Sequence, residues 1–216
     1  MAEDQVVVRE SGDADRLIAF ADAVVAIAIT LLALELPVPE GKTAHELLTS
    51  ARHHQGDYLA FLVSFLVIAA MWARHHHVMR YAERSDDRLR SLNMVWLLAI
   101  VLNPFATDLI AVDAHDTAAA HALRFGFYAV LQILANVAFL AMIRHLVRAG
   151  LQSADAPADL WPETRRGGLT ISAIFALSIP LFFVSRDAYV LWFAGPVVIH
   201  FARRHGLFRT RKQPTG

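Results

Sequence analysis

The sequence predicts an all-α membrane protein of six transmembrane helices, built as a single domain over residues 1–216. Three observations carry this. The chain is 56% hydrophobic with a mean hydropathy of +0.42, above the roughly 45–50% apolar content of soluble domains. Six apolar segments, at 16–36, 57–79, 89–112, 119–146, 168–185 and 188–204, are each of about the length that crosses a bilayer. Lysine and arginine fall almost wholly on alternate connections, as they do in multi-pass proteins.

The first segment runs Arg16-Leu-Ile-Ala-Phe20-Ala21-Asp22 and on through Ala-Ile-Ala-Ile-Thr-Leu-Leu to Leu34. An ionisable residue inside such a run costs several kcal/mol or, on insertion scales, about 2.5–3.5 kcal/mol unless it faces a partner or water. Asp22 therefore marks helix one as more than an anchor. Pro37 and Pro39 end that helix, since proline lacks the backbone donor and crowds the preceding turn. Residues 41–55 read as a polar loop. The second segment ends Met-Trp72-Ala-Arg-His75-His76-His77. In the third, Asn103-Pro104 predicts a kink or interruption. The fourth carries Gln132 and Asn136 at i, i+4, a pattern that joins helices by hydrogen bonds. Residues 153–162 read as a linker. Ser185-Arg186-Asp187 reads as a tight turn that makes a hairpin of segments five and six, with Pro180 and Pro196 within or near them. The tail beyond Arg203 is basic.

One side collects Arg9, Arg16, Arg74, Arg80, Arg84, Arg88, Arg90, Arg144, Arg148, Arg165, Arg166 and the basic tail. The other holds only Lys42, Arg52, Arg124 and Arg186, and its 112–120 loop offers Asp113 and Asp116, with Asp108 just before. By the positive-inside rule both termini are cytoplasmic in a multi-pass protein of the cell (plasma) membrane, which needs an even number of spans. The acidic start lacks the basic n-region of a cleaved signal peptide.

Composition also excludes. With no cysteine there is no disulfide or thiolate chemistry. Zero net charge points to no nucleic-acid partner. Gly-x-Ser-x-Gly, P-loop and Gly-x-Gly-x-x-Gly signatures are missing, so no enzyme and no catalytic residues are expected. The Thr-Val-Gly-Tyr-Gly potassium filter is missing too. Three consecutive histidines suggest metal, but neighbours on a helix point about 100° apart, and a helical zinc pair prefers i, i+4. No metal site is expected; Trp72 and one histidine dock into the bundle instead. Asn93 in the third segment needs a buried partner.

Ile27, Thr30, Leu31 and Leu34 stand at i, i+3, i+4 and i+7, on one stripe of helix one. By itself such a stripe is ordinary helix packing. Asp22 lies about 140° round the helix from Ile27. Its carboxylate suits either a lock between helices or the handling of an ion or proton. Arg16 is the nearest cation but sits on another face, so a partner from another helix is equally open.

Arg16-x-x-x-Phe20-Ala21-Asp22 resembles the Arg-x-x-x-Phe-Ser-Asp signature on the first helix of the endolysosomal potassium channel family (transmembrane protein 175 family). The likeness continues through Ala-Ile-Ala-Ile-Thr-Leu-Leu, Trp72 with His75 and His76, Asn93, and Asn103-Pro104-Phe105. Six spans in one repeat resemble its bacterial or archaeal members. The resemblance implies a homotetramer in the lipid bilayer with four copies of helix one around a central pore. Ile27, Leu31 and Leu34 then form the constriction, with the Thr30 hydroxyl beside them. It implies that Arg16, Phe20, Asp22, Trp72, His75, His76 and Asn93 form the signature and the network that holds helix one. The function implied is a potassium-permeable cation channel with weak preference for potassium over sodium. No cofactor and no small-molecule substrate are implied, only the permeant potassium ion. The departure is Ala21, which stands where the signature has serine and removes one hydroxyl from that network. The rival reading is a proton-coupled secondary transporter using Asp22, with the broken third helix in its binding site; against it, the chain shows no internal repeat.

Overall fold

The computed structural model describes residues 2–111, 117–182 and Trp192. Seven helices lie among the described residues: α1 (Ala2–Leu34), α2 (Ala44–His53), α3 (Gln55–Met79), α4 (Asp87–Val101), α5 (Asn103–Ala111), α6 (Ala118–Arg148) and α7 (Leu160–Phe182). Four stretches are long and apolar enough to cross a membrane: Gly12–Leu34, Gln55–Met79, Asp87–Ala111 and Ala119–Arg148. These are the first four predicted segments. The fifth is the C-terminal part of α7, whose first turns carry Glu163, Arg165 and Arg166. The sixth segment, the 185–187 turn, Asp113, Asp116, Arg186, Pro196 and the basic tail lie outside the described residues.

Two boundaries differ from expectation. Residues 41–55 are not all loop, because α2 occupies most of them. Its start is a capping box: Thr43 Oγ1 accepts from the Glu46 N–H at 3.2 Å, and Glu46 Oε2 accepts from the Thr43 and Lys42 N–H groups. Such reciprocal bonds satisfy donors that a helix start leaves unpaired. The linker at 153–162 is also shorter than read, since α7 begins at Leu160. Pro162 sits in its first turn, where a missing N–H costs nothing.

The third predicted span is two helices. Pro104 cannot donate to the carbonyl four residues back, so α4 closes at Leu102 and α5 opens at Asn103. The exposed polar groups are then recovered by side chains. Asn103 Nδ2 donates to the Ala99 carbonyl at 2.8 Å, and Gln132 Nε2 donates to Asn103 Oδ1 at 2.6 Å. Thr107 Oγ1 lies 2.8 Å from the Asn103 carbonyl and 2.7 Å from Ser64 Oγ, which itself meets the Tyr128 hydroxyl. This buried polar knot joins α3, α5 and α6 at the break. Asn103→Ala removes two of its bonds and leaves the buried Gln132 amide without its acceptor, at a cost of about 1–3 kcal/mol. Thermal unfolding of the detergent-solubilised protein measures this; an unchanged transition would show the knot to be incidental.

α6 is the central helix and packs on α4, α5 and α7. Its contact with α7 is close: a Cβ on Gly168 would lie 2.6 Å from Leu140 Cδ2, and Asn136 Nδ2 donates to the Gly168 carbonyl and to Ser172 Oγ, both at 2.7 Å. Arg74 of α3 donates to Asn136 Oδ1 and covers the Phe139 ring at 4.3 Å. Thus Gln132 and Asn136 each tie α6 to different helices. Trp192 stacks on Phe125 and Tyr128 and donates to Ser178 Oγ at 2.9 Å.

α1 lies at the opposite edge, on α3, α4 and α5. It buries Ala14, Leu17, Ala21, Val25, Ala28 and Leu32, one row of a 3.6-residue helix. Half of them are alanines, which lets the helix approach its neighbours closely.

Candidate functional site

The face of α1 opposite that row is apolar and uncovered within the subunit. Ile27 is 59% exposed, Leu31 40% and Leu34 79%; Phe20 and Thr30 are exposed as well. The Thr30 hydroxyl donates back to the Ile27 carbonyl at 2.8 Å, which leaves its oxygen lone pairs on the open side. Arg16, eleven residues before Ile27, lies about 20° from it round the helix. It is exposed, and among the described residues it makes no hydrogen bond or ion pair.

Asp22 points elsewhere. Trp72 Nε1 donates to its Oδ1 at 2.8 Å, and His76 Nδ1 meets its Oδ2 at 3.2 Å. Both carboxylate oxygens are therefore held by α3, from two residues one turn apart whose rings lie 5.6 Å apart. His75 turns the other way. It is fully buried, its Nε2 meets Asn93 Oδ1 at 2.9 Å, and its ring stacks on Trp96 at 4.1 Å. His77 takes a third direction, edge-on to Tyr81. So α3 clamps α1 through Trp72 and His76, and α4 through His75. Among the described residues no three histidine or acidic side chains cluster in a way that holds a metal ion. Arg16 and Phe20 stand outside this network within the subunit, and Ala21 is buried in the packed row beside it.

Both ends of the bundle carry further ties. At the N-terminal end Arg90 of α4 pairs with Asp13 of α1 at 3.1 Å. Asp86 caps α4 by accepting from the Leu89 N–H at 2.7 Å, and meets His145 of α6 at 2.8 Å. Burial pushes the Asp86 carboxyl up, but the Leu89 N–H and His145 outweigh it and hold it below the usual range. Beside this, the α3–α4 and α6–α7 loops zip together: the Glu83 and Arg84 N–H groups donate to the Leu151 carbonyl, and the Ser153 N–H to Tyr81.

At the far end, just past Leu34, the Glu35 carboxyl comes near Asp108 of α5. Burial first, then the neighbouring Asp108 carboxyl, raise Glu35 above its ordinary 4.5. Sequence spacing gave no sign of this pair, which joins residues 73 positions apart. A carboxyl whose folded pKa is raised binds its proton more tightly when folded, so its contribution falls as pH rises from about 4.5 through the folded pKa. The α1–α5 contact is then firmest on the acid side. Glu35→Gln should flatten that part of a pH series of thermal unfolding; identical slopes in the two proteins would show that Glu35 does not carry this pH dependence.

Residues 16–104 match the family described as the endosomal/lysosomal potassium channel TMEM175. A potassium channel of Streptomyces collinus is 36% identical over 179 residues, 82% of this chain and 84% of the relative. The endosomal/lysosomal proton channel TMEM175 of Danio rerio is 30% identical over 97 residues, 44% of this chain but 19% of the relative. Among solved structures, the crystal structure of a lysosomal potassium-selective channel TMEM175 homolog from Chamaesiphon minutus superposes with a TM-score of 0.70. It is 28% identical and covers 89% of this chain and 98% of that one.

Proposed function

The chain belongs to the TMEM175 family of ion channels as a bacterial-type, single-repeat member, and from that premise we propose that four copies form a potassium-permeable channel. In this reading the four α1 helices surround the pore, and Ile27, Leu31 and Leu34 are its narrow points, with Thr30 between them. The observation that carries the reading is the asymmetry of α1. Its charged residue Asp22 is bonded into α3, while three large apolar side chains in line stand uncovered on another face.

The chemistry of such a constriction differs from that of a carbonyl cage. Apolar rings give a dehydrating ion no replacement ligands. They resist passage in proportion to the water an ion must shed, which favours potassium, the more weakly hydrated ion, over sodium by a modest factor. The same rings gate by dewetting. Asp22, Trp72, His76, His75 and Asn93 are positioning residues that hold each α1 against its own bundle. Against a carrier with Asp22 as its proton site, both carboxylate oxygens are already engaged by α3. The arginine bias supports insertion in the cell membrane with both termini in the cytoplasm.

The chain has no cysteine, so single cysteines report cleanly. In reconstituted bilayers, Leu34→Cys and Leu31→Cys should lose potassium current when treated with a cationic, water-soluble thiosulfonate. Val137→Cys, exposed on α6, should not respond. Currents unaltered at both α1 positions would place the pathway elsewhere.

A further inference from the structure

The short helix α2 is folded the wrong way round for a helix in water. Ala44, Leu47, Leu48 and Ala51 recur at i, i+3, i+4 and i+7 and form one apolar face. None of them is buried, and Leu48 is 60% exposed. The bonds to the rest of the chain come from polar side chains instead. Ser50 Oγ accepts from the Glu40 N–H at 3.0 Å, and Glu46 is spent on the capping box. The corner into α3 is fixed by His54 on Asp57 at 2.9 Å, and the preceding loop by the Tyr58 hydroxyl on the Pro37 carbonyl at 2.9 Å. So the protein grips the polar side and leaves the apolar side outward.

Position names the occupant. α2 is tethered between two membrane spans: it follows α1 by nine residues and precedes α3 by one. It therefore sits at the level where the chain leaves the hydrocarbon. Glu40 and Glu46, both exposed, balance the charges of Lys42 and Arg52, so the segment is neutral overall and what matters is where each basic side chain stands. Arg52 stands one turn beyond Leu48, at the edge of the apolar face, where an arginine reaches phosphate while its stem covers apolar surface. Basic residues bordering a leucine face are the pattern of a helix lying in the interface plane.

We propose that α2 is a membrane-surface helix whose Leu47–Leu48 face rests on the acyl boundary of the phospholipid bilayer, with Lys42 and Arg52 meeting lipid phosphates. It would then fix the depth of the α1–α3 connection, next to the last apolar residue of α1.

The test is spin-label accessibility in the full-length protein, reconstituted in vesicles of phosphatidylcholine and phosphatidylglycerol. Nitroxides are placed at Leu47→Cys, Leu48→Cys and, on the polar side, Thr49→Cys. Oxygen, which partitions into lipid, should relax the Leu47 and Leu48 labels severalfold more than a water-soluble nickel chelate does, with the order reversed at Thr49. Labels at 47 and 48 open to the nickel chelate would mean a helix in water. Labels shielded from both reagents would mean a protein partner, such as a second copy. Either result overturns the proposal.

Discussion

Replacing Ile27 by asparagine or Leu31 by serine is expected to raise potassium conductance from several-fold to tenfold and to bring the sodium current close to the potassium current. In the proposed tetramer each substitution acts four times, putting a ring of amides or hydroxyls where the ion would otherwise meet only carbon. Those groups return part of the lost hydration, and a barrier lower by about 1.4 kcal/mol is a tenfold faster passage. Selectivity should fall for the same reason, because in the proposed mechanism the preference for potassium comes from the dehydration that the apolar ring imposes. Both side chains are exposed in the subunit, so the substitutions leave the packed core of the bundle untouched and assembly should survive. Single-channel recording with potassium and sodium on opposite sides reads both effects. Unchanged conductance and reversal potential in both variants would take this stripe out of the pathway.

Asp22→Ala is expected to do the opposite: to lower the yield of assembled protein while leaving ion preference in the surviving channels close to the original. It strips the Trp72 indole and the His76 ring of their shared acceptor. A hydrogen bond to a charged group is worth about 1.5–3 kcal/mol. The Asp22 side chain is 32% exposed, which screens the His76 pair and places the loss at the lower end of that range. Trp72→Phe removes one of the two bonds and should fall between. Size-exclusion profiles and thermal unfolding give the stability, and reversal potentials give the preference. A fully assembled Asp22→Ala protein with shifted reversal potential would move Asp22 from a positioning role into the ion path.

The sequence was most legible where one local rule decides the outcome. Pro104 lacks a donor, so the third span had to break beside it, and α4 gives way to α5 between Leu102 and Asn103. Consecutive residues diverge by about 100° on a helix, so three histidines in a row had to part, and His75, His76 and His77 face Asn93, Asp22 and Tyr81 respectively. Local signals can also mislead. Thr43 and Glu46 carry the capping spacing that starts α2, but the apolar face after them is too short to stand out from a polar stretch. Pro162 among small and acidic residues reads as linker, although the first turn of a helix accepts proline. Long-range pairs were not legible from spacing at all. The bond from Trp72 to Asp22 crosses 50 positions, and only the resemblance suggested that they belong together. Nothing suggested Glu35 with Asp108. The same resemblance set Arg16 in the network with Asp22, yet within the subunit Arg16 stays on the uncovered side of α1.

The most direct measurement is cation flux in vesicles loaded with potassium and containing the purified, size-verified protein, followed with a pH-sensitive dye and a proton uncoupler. A potassium-permeable pore predicts flux that depends on the uncoupler, grows linearly with the gradient, and drops by a modest factor when sodium replaces potassium. A saturable flux coupled to protons without the uncoupler, or no cation flux from a confirmed tetramer, would contradict it.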